Sequence, residues 1–338
     1  MQNRSVSMFR LNEQHTGVAA TGGLGVRPML NWVYDAGSWV AKISQHDGAV
    51  FASSQGQVHC IDAQTGVGRW TFETGRTIYS CPAIVDGSVF FGSADNCVYC
   101  IDAETGSLNW KYETGAFVCA SPTVVEDLVY VISHDGHVYG FDTRDSEPRW
   151  VFEAGEPMCS NPAYFDGRLY FGLWDGRFLS VDIDSRQIAW SFETNGKMYS
   201  SPSVNEEVIV FGNFDHHIYA IDRMTGRERW RFRTDNEIGL SSPAICHGTT
   251  LIGSRDGCVY AIDIESGSVR WKFDSGSAVD SSPVIAEGLV HFGNESALFV
   301  LDHETGCEVT RYEAPAGTCV LDRGTAYVPS GDSVLSIS

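Results

Sequence analysis

The sequence predicts an all-β fold, a single eight-bladed β-propeller of four-stranded antiparallel blades closed by an N-terminal outer strand. Tryptophan returns about every forty residues, at Trp32, Trp70, Trp110, Trp150, Trp190, Trp230 and Trp271, and a fixed period of this length marks a repeat architecture. Each repeat breaks into four short runs of β-branched and aromatic residues separated by turn-forming residues, the pattern of strands and tight turns. Four antiparallel strands in one such period make a propeller blade.

In the second repeat the runs place strand A at 82–85, B at 88–92, C at 97–102 and D at 108–113. An Asp closes strand C in seven copies, at Asp62, Asp102, Asp142, Asp182, Asp222, Asp263 and Asp302, where its carboxylate can accept backbone N–H bonds within the turn. A Gly follows in five of them, at Gly66, Gly106, Gly226, Gly267 and Gly306, suited to a positive φ. The recurrent Trp lies on outer strand D, large enough to pack between blades. Thr310 stands in its place in the seventh copy, so one contact between blades is expected to be weaker.

Trp32 has a strand-D context without strands A, B and C before it, and the chain ends on three strand-like runs without a fourth. Joining the two ends completes the eighth blade and leaves no unpaired edge at the seam. One domain therefore spans 1–338, with a lead-in at 1–29 and the closing outer strand at 30–37. Blades one to seven occupy 38–75, 76–115, 116–155, 156–195, 196–235, 236–276 and 277–315, and 316–338 supply the inner three strands of blade eight.

The VYAIDxxTGxxxW pattern, as from Val259 to Trp271, and the MFRLNEQHTG stretch from Met8 to Gly17 resemble the pyrroloquinoline-quinone-like (PQQ-like) propeller family over nearly the whole chain. The resemblance implies the fold; for activity it spans quinoprotein dehydrogenases, an outer-membrane assembly scaffold and sensor domains. A dehydrogenase of that kind would hold PQQ between a tryptophan and a disulfide of adjacent cysteines, with calcium and an aspartate base. This chain has no Cys-Cys pair, so no cofactor is expected.

Acidic residues outnumber basic ones 43 to 23, for a formal charge of −20, which repels phosphate backbones and anionic bilayers. Neither nucleic acid nor a membrane is an expected partner. No stretch approaches the ~20 apolar residues of a membrane span, and residues 1–10 lack the apolar core of a secretory signal, so a cytoplasmic location is expected. Most of the ten cysteines are accordingly expected to be reduced, with no structural disulfide and close to ten free thiols, and with Cys60, Cys97, Cys100 and Cys258 as small core residues. Cys119, Cys159 and Cys319 share one position at the start of strand A on this reading. With no CxxC pair or histidine at ligand spacing beside them, no metal is expected.

Strand direction alternates, so the D-to-A connections and the B-to-C turns share the top end of the ring. The B-to-C position gives Ser54, Ala94, His134, Trp174, Phe214, Arg255, Glu295 and Ser330, and the D-to-A position gives Ala41, Tyr79, Cys119, Cys159, Tyr199, Leu240, Asp280 and Cys319. The two sets converge over blades four to seven. His134, Trp174, Tyr199, Phe214, Cys159 and Leu240 are the candidate ligand-binding residues, and Asp280, Glu295 and Arg255 the candidate catalytic ones. An apolar wall beside a few polar groups is the composition of a small-molecule pocket.

Each residue also has a plainer reading: Arg255 and Glu295 as a surface ion pair, Trp174 as a channel plug, and His134 and His137 as solvated loop residues. The expected function is a module that binds a small molecule or a partner protein on its top face. The alternative is a cofactor-independent cyclase, lyase or isomerase using the carboxylates as acid and base. Oligomeric state is not written in the sequence.

Overall fold

The computed structural model describes residues 6–19, 22–25 and 27–338. They form eight sheets, and in blades one to seven the innermost-to-outermost strand order follows the chain. In blade two the strands are Ala83–Val85, Ser88–Gly92, Cys97–Asp102 and Leu108–Glu113. The closing strand, Leu30–Asp35, pairs antiparallel with Ser333–Ile337, setting Trp32 opposite Ser336. That sheet is completed by Thr325–Ser330 and Val320–Asp322. No helix among the described residues is long and apolar enough to cross a membrane.

The conserved spacing of Trp, Asp and Gly within the chain has one local cause. Asp62 Oδ1 accepts hydrogen bonds from the Thr65 N–H at 2.9 Å and the Thr65 hydroxyl at 2.8 Å, which folds the turn after strand C. Gly66 then adopts φ 72°, and the Trp32 ring lies so close over it that a Cβ there would collide. Trp32 also donates its indole N–H to the Ala63 carbonyl at 3.0 Å. The same donation runs from Trp70 to Ala103, Trp150 to Ile183, Trp190 to Arg223, Trp230 to Ile264 and Trp271 to His303. Six of the seven Trp thus fasten strand D to the turn of the following blade, whereas the Trp110 indole N–H is buried without a partner. After Asp182, where the turn has no Gly, Arg186 takes the positive φ, 56°.

The lead-in crosses the bottom of the ring instead of trailing from it. Val6–Ser7 adds to the innermost strand of blade two. The chain then offers carbonyls in turn to the inner strands of blades four to seven: Glu13 to Tyr164 N–H, Gln14 to Val204, Thr16 to Ile245 and Gly17 to Ile285. Arg10, 5 % exposed, donates at 2.5 Å to both the Pro243 and Pro283 carbonyls. Gly17, at φ 68°, leaves the space that the Arg10 guanidinium fills. This segment plugs the channel, and Trp174 does not.

Candidate functional site

At the level where strand A leaves the top loops, small polar side chains bond from blade to blade around the axis. The Cys81 N–H donates to Ser121 Oγ at 2.9 Å, Ser121 N–H to Asn161 Oδ1 at 2.5 Å and Asn161 N–H to Ser201 Oγ at 3.0 Å. Ser201, Ser242 and Ser282 continue to Ser242, Ser282 and Thr318. In blade one Lys42, opposite Ser53, comes to this level, so the ring carries a single cation there. Thr318 is therefore the counterpart of Ser121. Cys319 falls in the place of Pro122, so it does not share the Cys119 position, and it is buried beside the plug.

Above this ring opens a cavity of about 440 Å³. Its walls include Trp39, Tyr79, Phe117, Trp174, Tyr199 and Leu240, and its floor is made by Phe9 of the plug with Lys42, Ser121, Asn161, Ser201 and Ser242. Trp39, Tyr79, Phe117 and Leu240 are among the exposed large apolar side chains of the protein, gathered on one rim. No Asp or Glu lines the cavity among the described residues. Burial lowers the Lys42 ammonium below its ordinary range, and Arg10 nearby adds to the effect.

Five of the six predicted ligand-binding residues, His134, Cys159, Trp174, Tyr199 and Leu240, line this cavity. The sixth, Phe214, stacks on Tyr199 with ring centres 4.8 Å apart. An unbroken arc follows the wall: Phe117 on His134 at 3.7 Å, His134 against Trp174 at 4.5 Å, and Trp174 against Tyr199 at 5.4 Å. Arg255 lies over Phe214 at 5.6 Å and extends the arc.

The predicted catalytic trio is not assembled as a unit. Arg255 bonds Asp280 at 2.9 Å and also bonds Glu237, and the Asp280 contact holds the guanidinium charged. Asp280 also accepts the Leu240 N–H at 3.2 Å. Arg255 thus pairs with Asp280 and Glu237, in place of the Glu295 partner expected from the sequence. Glu295 stands exposed in the next B-to-C turn.

Two further expectations are corrected at the wall shared by blades three and four. Cys119 and Cys159 are joined by a disulfide, their Cα atoms 5.9 Å apart; equivalent positions on adjacent blades lie within bridging reach, so eight thiols remain free, not ten. His134 is 9 % exposed and not solvated, with Nε2 2.8 Å from Cys159 Sγ. Burial pushes its pKa down to about 4. Lys42, Phe9 and Cys119, with Trp39, Tyr79 and Phe117 on the wall, belong to the site beyond the residues singled out from sequence. Lys42 carried a signal, a lone cation where six of the other seven repeats place a small residue before Pro. Blade one has Ile43 in place of that Pro, which hides the phase.

Fold and repeat define an eight-bladed propeller of the PQQ-like class. A family model described as the β-propeller of the beta-alanine-activating enzyme matches residues 38–250, more than half of the chain, and the protein belongs to that family. No curated protein sequence matches significantly. Among solved structures, BamB from Moraxella catarrhalis aligns with TM-score 0.76 and 16% identity over 92% of this chain and 100% of its own. The quinohemoprotein alcohol dehydrogenase ADHIIG from Pseudomonas putida HK5 aligns with TM-score 0.83 and 13% identity, over 98% of this chain and 79% of that one. A computationally designed protein, Ika8, aligns with TM-score 0.79 and 15% identity over 89% of this chain and 96% of its own. At these identities the likeness is one of fold. The donor set does not fit a calcium-bound quinone: the lining offers no carboxylate, whereas a hard cation needs oxygen ligands, and the Cys119–Cys159 bridge joins residues 40 apart, not neighbours.

Proposed function

We propose that the protein is a binding module whose top cavity takes a planar, largely apolar small molecule carrying an anionic group. The observation that carries this reading is the pairing of an aromatic wall with one cation, Lys42, on the floor of a cavity of about 440 Å³, a size within the range of small-molecule sites. The wall supplies contact area at low entropic cost and the lysine fixes orientation. An anion beside Lys42 favours the charged ammonium that burial disfavours, so binding and protonation reinforce each other. Asp280 is committed to Arg255 and to the Leu240 N–H, which favours binding over acid–base chemistry.

The test uses two fluorescent probes of similar shape, the anion 8-anilinonaphthalene-1-sulfonate and uncharged N-phenyl-1-naphthylamine. Lys42→Met should weaken the anion by about 10- to 100-fold, the worth of a charged contact, and leave the neutral probe within about twofold. Trp174→Ala should weaken both by about tenfold. Equal affinity of the anionic probe for wild type and both folded variants would refute the reading.

A further inference from the structure

We propose that Cys119, Cys159 and His134 form a redox-gated site for a soft divalent metal of the zinc class, opening on the cavity. This stands on geometry of its own and does not depend on the small-molecule reading. Three donors of the right kind converge: the two sulfurs and one imidazole nitrogen all lie within 4.8 Å of one another. Two come from blade three and one from blade four, held by the same blade-to-blade register that builds the ring.

The imidazole is prepared for the role. Its backbone N–H donates to the Phe117 carbonyl at 3.0 Å. Its ring stacks on Phe117 and meets Trp174 edge-on, which fixes Nε2 toward Cys159. Two sulfurs and one nitrogen suit zinc and exclude calcium or magnesium, and three protein ligands leave a fourth position open, as at zinc sites that bind an exchangeable ligand. All three side chains line the cavity, so that position is accessible to whatever enters it.

The disulfide and the metal compete for the same two sulfurs. In the gating step a dithiol reductant gives two electrons and two protons to the bridge. The Cys119–Cys159 S–S bond breaks, two thiols form, and the reductant closes its own disulfide. A divalent metal then displaces both thiol protons, and the two thiolates with neutral His134 hold it. In the return step a disulfide oxidant takes two electrons from the two thiolates and, with two protons from solvent, leaves as a dithiol; the Cys119–Cys159 S–S bond forms again and the metal is released. The wall between blades three and four thus carries either a covalent staple or a metal.

Cobalt(II) serves as the spectroscopic probe for zinc, added to the full-length protein after reduction with a phosphine and to the same protein oxidised with diamide. The expected result is one cobalt per reduced chain with a thiolate-to-cobalt charge-transfer band in the near ultraviolet, displaced by zinc, and no such band in the oxidised chain. Cys119→Ser and Cys159→Ser should each abolish or strongly weaken the band, and His134→Ala should lower affinity at least about tenfold, all with wild-type circular dichroism. A folded reduced protein without the band, the same band in the double Cys→Ser variant, or equal binding by the oxidised chain would overturn the proposal.

Discussion

The Lys42 ammonium stands 5.9 Å from the centre of the Phe9 ring, so the only cation on the polar ring rests on the plug that closes the channel from below. Phe9 is 5 % exposed and meets His15 edge-on at 5.4 Å. Phe9→Ala should remove the floor and cost about 3 kcal/mol, toward the low end for truncating a buried Phe because the cavity already lies on one side. Urea denaturation checks the cost. A loss under about 1 kcal/mol would mean that Phe9 does not bear the plug.

The seam yields a second prediction. Trp32 joins the closing strand to blade one through Ala63 and Gly66, so Trp32→Ala should destabilise by about 3 kcal/mol. Gly66→Ala should also destabilise by more than about 1 kcal/mol, because it meets both a positive φ and the Trp32 ring. Deleting residues 1–37 removes clasp and plug together and should cause aggregation or a large fall in Tm. Unchanged Tm in the deletion would place the seam elsewhere.

Acid should weaken the plug through histidines buried neutral. Burial pushes His15 down to about 3 and His291 to about 4, against about 6.5 in the unfolded chain. Between pH 6.5 and 4 the unfolded state binds more protons, so stability is complete above pH 6.5 and falls as pH drops. Each histidine contributes a slope of up to about 1.4 kcal/mol per pH unit. His15→Gln should flatten that slope, as read from urea denaturation at a series of pH values. A variant with the wild-type slope would remove His15 from the account.

The bridge gives a count. Denatured without reductant, the protein should show eight titratable thiols, and after reduction all ten cysteines should react. Ten before reduction would show that Cys119 and Cys159 stay reduced under the conditions of purification.

Trp, Asp and Gly spacing made the blades and the seam legible, because each turn is closed by local bonds that repeat with the chain. The aromatic arc from His134 to Phe214 was equally legible, since both loop sets project to one end. Three things were not. The 40-residue separation of Cys119 and Cys159 resembles no ligand motif and becomes a contact only when blades stack. Lys42 lost its phase with the missing Pro. The lead-in has no periodicity, and its path is set by Arg10 and by backbone bonds to inner strands far along the chain. Arg255 found Glu237 and Asp280 because the D-to-A connections that carry them flank it, while Glu295 stands exposed in the B-to-C turn of blade seven.

The central claim, that the top cavity is the ligand site, is tested most directly by locating a bound probe. Crystals soaked in 6-bromonaphthalene-2-sulfonate should show a single strong bromine anomalous peak within the cavity, with the ring against Trp174 and Tyr199 and the sulfonate toward Lys42. Bromine found only outside the ring of blades, or an equally occupied peak in a folded Lys42→Met, Trp174→Ala double variant, would contradict the account.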